Sequence, residues 1–174
     1  MNIFLIIFLF ASLSHQQSGN FPGSTDSLKS PDGNFWIINI DTARDSDFNH
    51  TLFLKDSKSG RVEELLEYAR SVAVLWSPDS KGFAITDYEG SDYSNCKIFV
   101  LGDITRIVSI QTELESHFKT NRHIFENHHV YIEAREWINS TSVKININGY
   151  GEIDPDGFDL WFVFDTIKGL TQLR

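Results

Sequence analysis

The hydrophobic pattern of this chain is written in short runs. Apolar, β-branched and aromatic residues cluster over a few positions at a time, and Gly, Pro, Asn, Asp and Ser close each run. That is the pattern of strands joined by tight turns. The runs predict strands at 34–41, 50–56, 72–76, 82–87, 97–101, 130–138, 142–149 and 159–165. Two stretches depart from this rhythm. Leu114, Phe118 and Phe125 recur at helical spacing and predict a helix over 112–125, inside an insertion at 104–129. Residues 62–69, Val-Glu-Glu-Leu-Leu-Glu-Tyr-Ala, favour a helix by composition, whereas their place in the pattern assigns an edge strand.

The pattern repeats. Ser30-Pro31-Asp32-Gly33-Asn34-Phe35-Trp36-Ile37-Ile38 returns as Ser77-Pro78-Asp79-Ser80-Lys81-Gly82-Phe83-Ala84-Ile85, 47 positions later. The same offset lays Thr51-Leu-Phe-Leu-Lys-Asp56 on Ile98-Phe-Val-Leu-Gly-Asp103. A fainter third copy sets Phe53-Leu-Lys-Asp56-Ser-Lys-Ser-Gly60 against Phe162-Val-Phe-Asp165-Thr-Ile-Lys-Gly169. Pro presets φ for a turn, Asp bonds the local amides and Gly completes the turn before an apolar strand. Each repeat is then a four-stranded meander that must stack on a neighbour to bury its faces.

Trp76-Ser-Pro-Asp-Ser-Lys-Gly-Phe-Ala-Ile-Thr86, with Ser30-Pro-Asp-Gly33 one unit earlier, resembles the strand-turn-strand signature of TolB-like and WD-type β-propeller blades. The resemblance covers about Ser30 to Ile110. It implies an all-β fold of antiparallel, propeller-like meanders or a curved sheet, with a short helical insertion and with turn residues that are structural. Three units at most are present, where closed propellers have about 4 to 8 blades. The expectation is a partial propeller, a curved sheet, or a ring completed by association.

The N-terminus has another character. Ile3 to Leu13 form an apolar run too short to span a bilayer, followed by small and polar residues, and predict a signal peptide over 1–14. A loose, polar leader at 15–29 and one domain over 30–174 follow. The mature protein is expected to be secreted or periplasmic, with no membrane attachment after cleavage.

Composition narrows the function classes. Fifteen Lys and Arg against 24 Asp and Glu leave a formal charge of −9, which disfavours nucleic acid and anionic membranes as partners. The expected partner is a protein. The lone Cys96 cannot form an internal disulfide and is expected to be buried as a small hydrophobe.

Catalytic signatures are sparse. No Gly-x-Ser-x-Gly elbow occurs, and Ser94-Asn-Cys-Lys97 lacks the companion motifs of the Ser-x-x-Lys hydrolases. His117, His123, His128 and His129 lie close in sequence at spacings that fit no helical metal pair, so a solvated insertion is expected. Two acidic loops are candidate sites, Asp87 to Tyr93 and Glu152 to Asp159. The second approximates a calcium loop through Asp154, Asp156 and Gly157, with Asp159 beyond, but has Val163 where the bidentate Glu belongs. Candidate binding residues are therefore Asp87, Glu89, Asp92, His128 and His129, and candidate calcium ligands are Asp154, Asp156 and Asp159. The expected function is that of an exported, non-catalytic binding or interaction module without a resident cofactor. The alternative is an extracytoplasmic enzyme or inhibitor working through the acidic loops or the His-rich insertion.

Overall fold

The computed structural model describes residues 16–44, 47–102, 104–117 and 122–173; the expected signal peptide over 1–14 and Phe118 lie outside them. Strand β1 (Ser18–Phe21) comes first, followed by an antiparallel meander of β2 (Ser27–Lys29), β3 (Phe35–Arg44), β4 (Asp47–Asp56) and β5 (Val62–Tyr68). A second meander contains β6 (Ser71–Trp76), β7 (Gly82–Tyr88), β8 (Tyr93–Val100) and β9 (Arg106–Ser109). Helix α1 (Ile110–His117) and a 3₁₀ turn at Arg122–Glu126 lead to the third. It contains β10 (His129–Trp137), β11 (Ser142–Tyr150), β12 (Phe158–Asp165) and β13 (Gly169–Gln172), again antiparallel. The fold is all-β, and among the described residues neither of the two sheets closes on itself.

Packing follows from strand alternation. Phe83 and Ile85 on β7 and Phe99 on β8 join Ile37, Leu52 and Leu54 of the first meander in one core. Ala84, Cys96 and Ile98, from the opposite face, join Ile132, Ile145 and Ile147 of the third in another. The second meander is thus covered on both sides, which explains the unbroken burial from Gly82 to Asp87. Burial of side chains as large as Phe83 and Phe99 contributes about 2–3 kcal/mol each. A two-residue parallel seam, Tyr93 to Val130 and Ser94 to Tyr131, joins the second and third meanders, and Trp137 Nε1 donates to Leu75 O at 3.0 Å.

The Ser-Pro-Asp turns are chemical duplicates. Ser30 Oγ donates to Asp32 (2.7 Å) and accepts from Phe35 N–H (2.9 Å); Ser77 Oγ donates to Asp79 (2.9 Å) and accepts from Gly82 N–H (3.0 Å). Gly33 and Ser80 both take positive φ, +76° and +62°. The third copy is a real correspondence at the later turn: Asp56 accepts from the amides of Lys58 and Ser59, Asp165 from those of Ile167 and Lys168, and each turn closes on a positive-φ Gly, Gly60 or Gly169.

Three expectations are corrected. The leader at 15–29 is not loose: β1 pairs with β6 from Ser18–Leu75 to Phe21–Val72, Phe21 is buried, and β2 pairs with β3. The constant 47-residue offset fails at the next strand. Ile37 pairs with Leu54 and Ala84 with Ile98, so β4 answers to β8 at 44 positions, the second hairpin being three residues shorter. The expected helix over 112–125 is α1 at Ile110–His117 followed by the 3₁₀ turn; Ile110 and Leu114 are buried, and Ser109 Oγ accepts from Thr112 N–H at 3.4 Å. Residues 62–68 form the strand that the repeat assigned, against their helical composition, because pairing with β4 outweighs propensity. Cys96 is buried, and burial pushes its thiol up to about 12.

Candidate binding site

The Ser-Pro-Asp turns bring two meanders face to face at one end. Asp32 N–H donates to Ser80 Oγ at 2.9 Å and so bridges the turns. Over this bridge lies a groove of about 420 Å³, within the usual range for ligand sites. Phe35, Leu54 and Leu101 supply its apolar surface, and Phe35 stacks on the buried Trp76 with centroids 6.3 Å apart. Asp56, Arg61 and Glu63 line it from the first meander, and Asp79, Lys81 and Thr105 from the second.

The charges of the groove are fixed by its turns. Amide and side-chain bonds from Asn34, with hydroxyl bonds from Ser30 and Ser80, outweigh desolvation and hold Asp32 below its ordinary value. Bonds from Lys58 and Ser59 do the same for Asp56. Arg61 is paired with Glu63, and Lys81 Nζ lies 4.0 Å from Asp79.

The expected site residues lie elsewhere, at the other end of β7. Three loops meet there: Tyr131 OH donates to Ser91 O (2.8 Å), Val130 N–H to Asp92 O (3.0 Å) and Asn127 Nδ2 to Asp154 (2.8 Å). Glu89, Asp92 and His128 are exposed. His128 is 3.9 Å from the still more exposed Glu152, while His129 stacks on Tyr150 at 4.1 Å. Asp154 is held by Asn127 and Asp159 by Asn146, and Asp156 is exposed. Among the described residues no three His, Cys, Asp or Glu side chains are placed to hold a metal ion together. His117 packs edge-on against Phe162, 5.8 Å away.

Asp87 is apart from these loops. It is 8% exposed, its Oδ1 has no hydrogen-bond partner among the described residues, and it stands opposite Val72 and Asn95 in the sheet. Burial first, and then the Glu89 carboxylate, push its carboxyl up to about 6 against the opposing pull of Lys97. Tyr68, whose phenol is raised by burial and by the charges of Asp41 and Asp87, donates to Asn39 Oδ1 at 2.6 Å. Asn39 in turn donates to Asp41, which lies 2.7 Å from His50 Nδ1. This chain and the groove left no pattern in the sequence, because their members come from strands and turns far apart in it; only the Ser-Pro-Asp turns were visible as motifs.

Compared with protein-family models, with curated proteins and with solved structures, the chain matches none.

Proposed function

We propose that this protein is an exported, non-catalytic binding module of propeller-like meanders, with the groove between the first two as its ligand site. The groove itself carries the reading: an apolar surface between walls whose charges are set by backbone and side-chain bonds is arranged for holding a ligand. Export rests on the apolar run from Ile3 to Leu13. The enzyme or inhibitor alternative requires side chains converging on one point, whereas Asp154 and Asp159 are occupied by structural partners.

Chemical-shift mapping of an isotope-labelled full chain against a small-molecule fragment set tests the assignment. Binders are expected to move the amides of Phe35, Leu54, Ser80 and Leu101 together. Binders that instead cluster around Asp92, His129 and Asp154 would transfer the site to the acidic loops.

Association of copies belongs to the same reading. The outer face of the first sheet carries Trp36, Ile38 and Ile40, with Ile40 46% exposed, and offers an apolar surface to another sheet.

A further inference from the structure

We infer that the groove receives a cationic segment of polypeptide, an Arg or Lys side chain set beside an aromatic or branched apolar one. The inference rests on the groove being the binding site and adds the chemistry of its occupant.

Charge is the first argument. Four carboxylates line the groove, Asp32, Asp56, Glu63 and Asp79, against two cations, Arg61 and Lys81. Each cation already stands beside a carboxylate of its own wall, Arg61 with Glu63 and Lys81 with Asp79. No further basic residue lines the groove beside Asp32 and Asp56, and the charge that acts on Asp56 is that of Lys58, outside the lining. Their turn bonds keep both ionised and fixed, so a cation entering between them meets acceptors that need no rearrangement. The chain's formal charge of −9 steers a basic partner toward any of its surfaces, and the groove is where attraction is joined to apolar contact.

Shape is the second argument. Phe35, Leu54 and Leu101 form an apolar surface suited to a hydrocarbon or aromatic side chain, and the Trp76 stack behind Phe35 limits its movement. The backbone beside the groove points the same way. Among the described residues the first sheet ends at β5, and Glu63 of β5 lines the groove, so a strand edge left unpaired by them adjoins the site. An extended peptide can lay main-chain hydrogen bonds along that edge while its side chains enter the groove, a mode closed to a small amine.

Titration of the labelled full chain with four probes tests this. They are acetyl-Phe-Arg-Phe-Arg-amide, its Glu and Ser counterparts in place of Arg, and benzylamine. The Arg peptide should move the amides of Phe35, Leu54, Ser80 and Leu101 and bind about ten-fold more tightly than the Ser peptide, weakening as salt is added. Glu63→Lys on one wall and Thr105→Lys on the other should each weaken it by about five-fold or more. Using both walls guards against a folding defect in either variant, checked by its urea midpoint. Equal binding of the Ser or Glu peptide would overturn the cationic assignment while leaving the groove as the site. Equal binding of benzylamine would overturn the polypeptide. If neither the peptides nor the fragments move those amides, the groove reading fails as well.

Discussion

At the scale of single residues, two carboxylates show how local surroundings set opposite pH responses. Asp165 accepts amide hydrogens from Ile167 and Lys168 and is held at about 2, so its contribution is present above its ordinary 3.8 and is lost as pH falls toward 2. Asp87 behaves the other way. Its unfolded form ionises near 3.8 and its folded form near 6. At pH 3 and below both states largely hold the proton and the shift costs little. Between 4 and 6 the unfolded chain ionises first, so stability falls as pH rises, and above 6 the whole cost remains. A shift of this size corresponds to roughly 1–3 kcal/mol. Asp87→Asn removes the titration. The variant should match the wild type in urea unfolding at pH 3 and exceed it by roughly 1–3 kcal/mol at pH 7.5. An equal loss or gain at both pH values would show that the side chain acts through packing and not through its charge. The spacing of polar residues made Asp87 a candidate for solvent-facing binding. Its burial depends on the first meander covering that face of β7, which no local pattern reports.

Whole elements divide into those that announce themselves and those that depend on a partner. The strands with buried apolar faces, β3, β4, β6–β8 and β10–β12, were legible because Val, Ile, Phe and Leu mark them directly. The four short edge strands were not. Ser18-Gly-Asn-Phe21, Ser27-Leu-Lys29, Arg106-Ile-Val-Ser109 and Gly169-Leu-Thr-Gln172 carry too few apolar residues for a pattern and are strands because a longer neighbour pairs with them. β5 is the same effect in stronger form, since Val62-Glu-Glu-Leu-Leu-Glu-Tyr68 becomes a strand against its composition. The groove was hidden for a related reason: the repeat revealed its two Ser-Pro-Asp turns as structure, but not that Leu54, Leu101 and Thr105 gather beside them. β1 offers a direct test. If the leader is the edge of β6, Phe21, at 1% exposure, is a core residue, and Phe21→Ala should cost about 3–5 kcal/mol in urea unfolding. A loose leader would make the substitution silent.

At the scale of the molecule, the stack of three meanders has unlike ends. The outer face of the first sheet presents Ile38 opposite Phe53 and Ile40 opposite Thr51, with Lys29 over Trp36 at 5.2 Å. The outer face of the third is polar: Asn146 binds Asp159 and Asn148, and Lys144 lies over Trp161 at 4.9 Å while pairing with Glu136. Completing a ring from two copies would set the apolar end of one on the polar end of the other, desolvating Lys144, Asp159 and the Asn pair for no matching partner. Setting first sheet against first sheet buries apolar on apolar and gives a closed two-fold pair. The expected association is therefore a dimer through the first sheet. In sedimentation equilibrium, Ile40→Lys should leave a monomer, whereas Trp161→Ala should dimerise like the wild type. Loss of association in both variants would favour the head-to-tail ring instead. A wild type that stays monomeric into the millimolar range would leave the outer face of the first sheet to a different protein. The dimer also bears on the groove. Phe35 and Leu54 line the groove, while Trp36, Ile38 and Phe53 point to the opposite side of the same strands, so pairing of copies would leave both grooves open. The Arg peptide should then bind the dimer and the Ile40→Lys monomer with the same affinity.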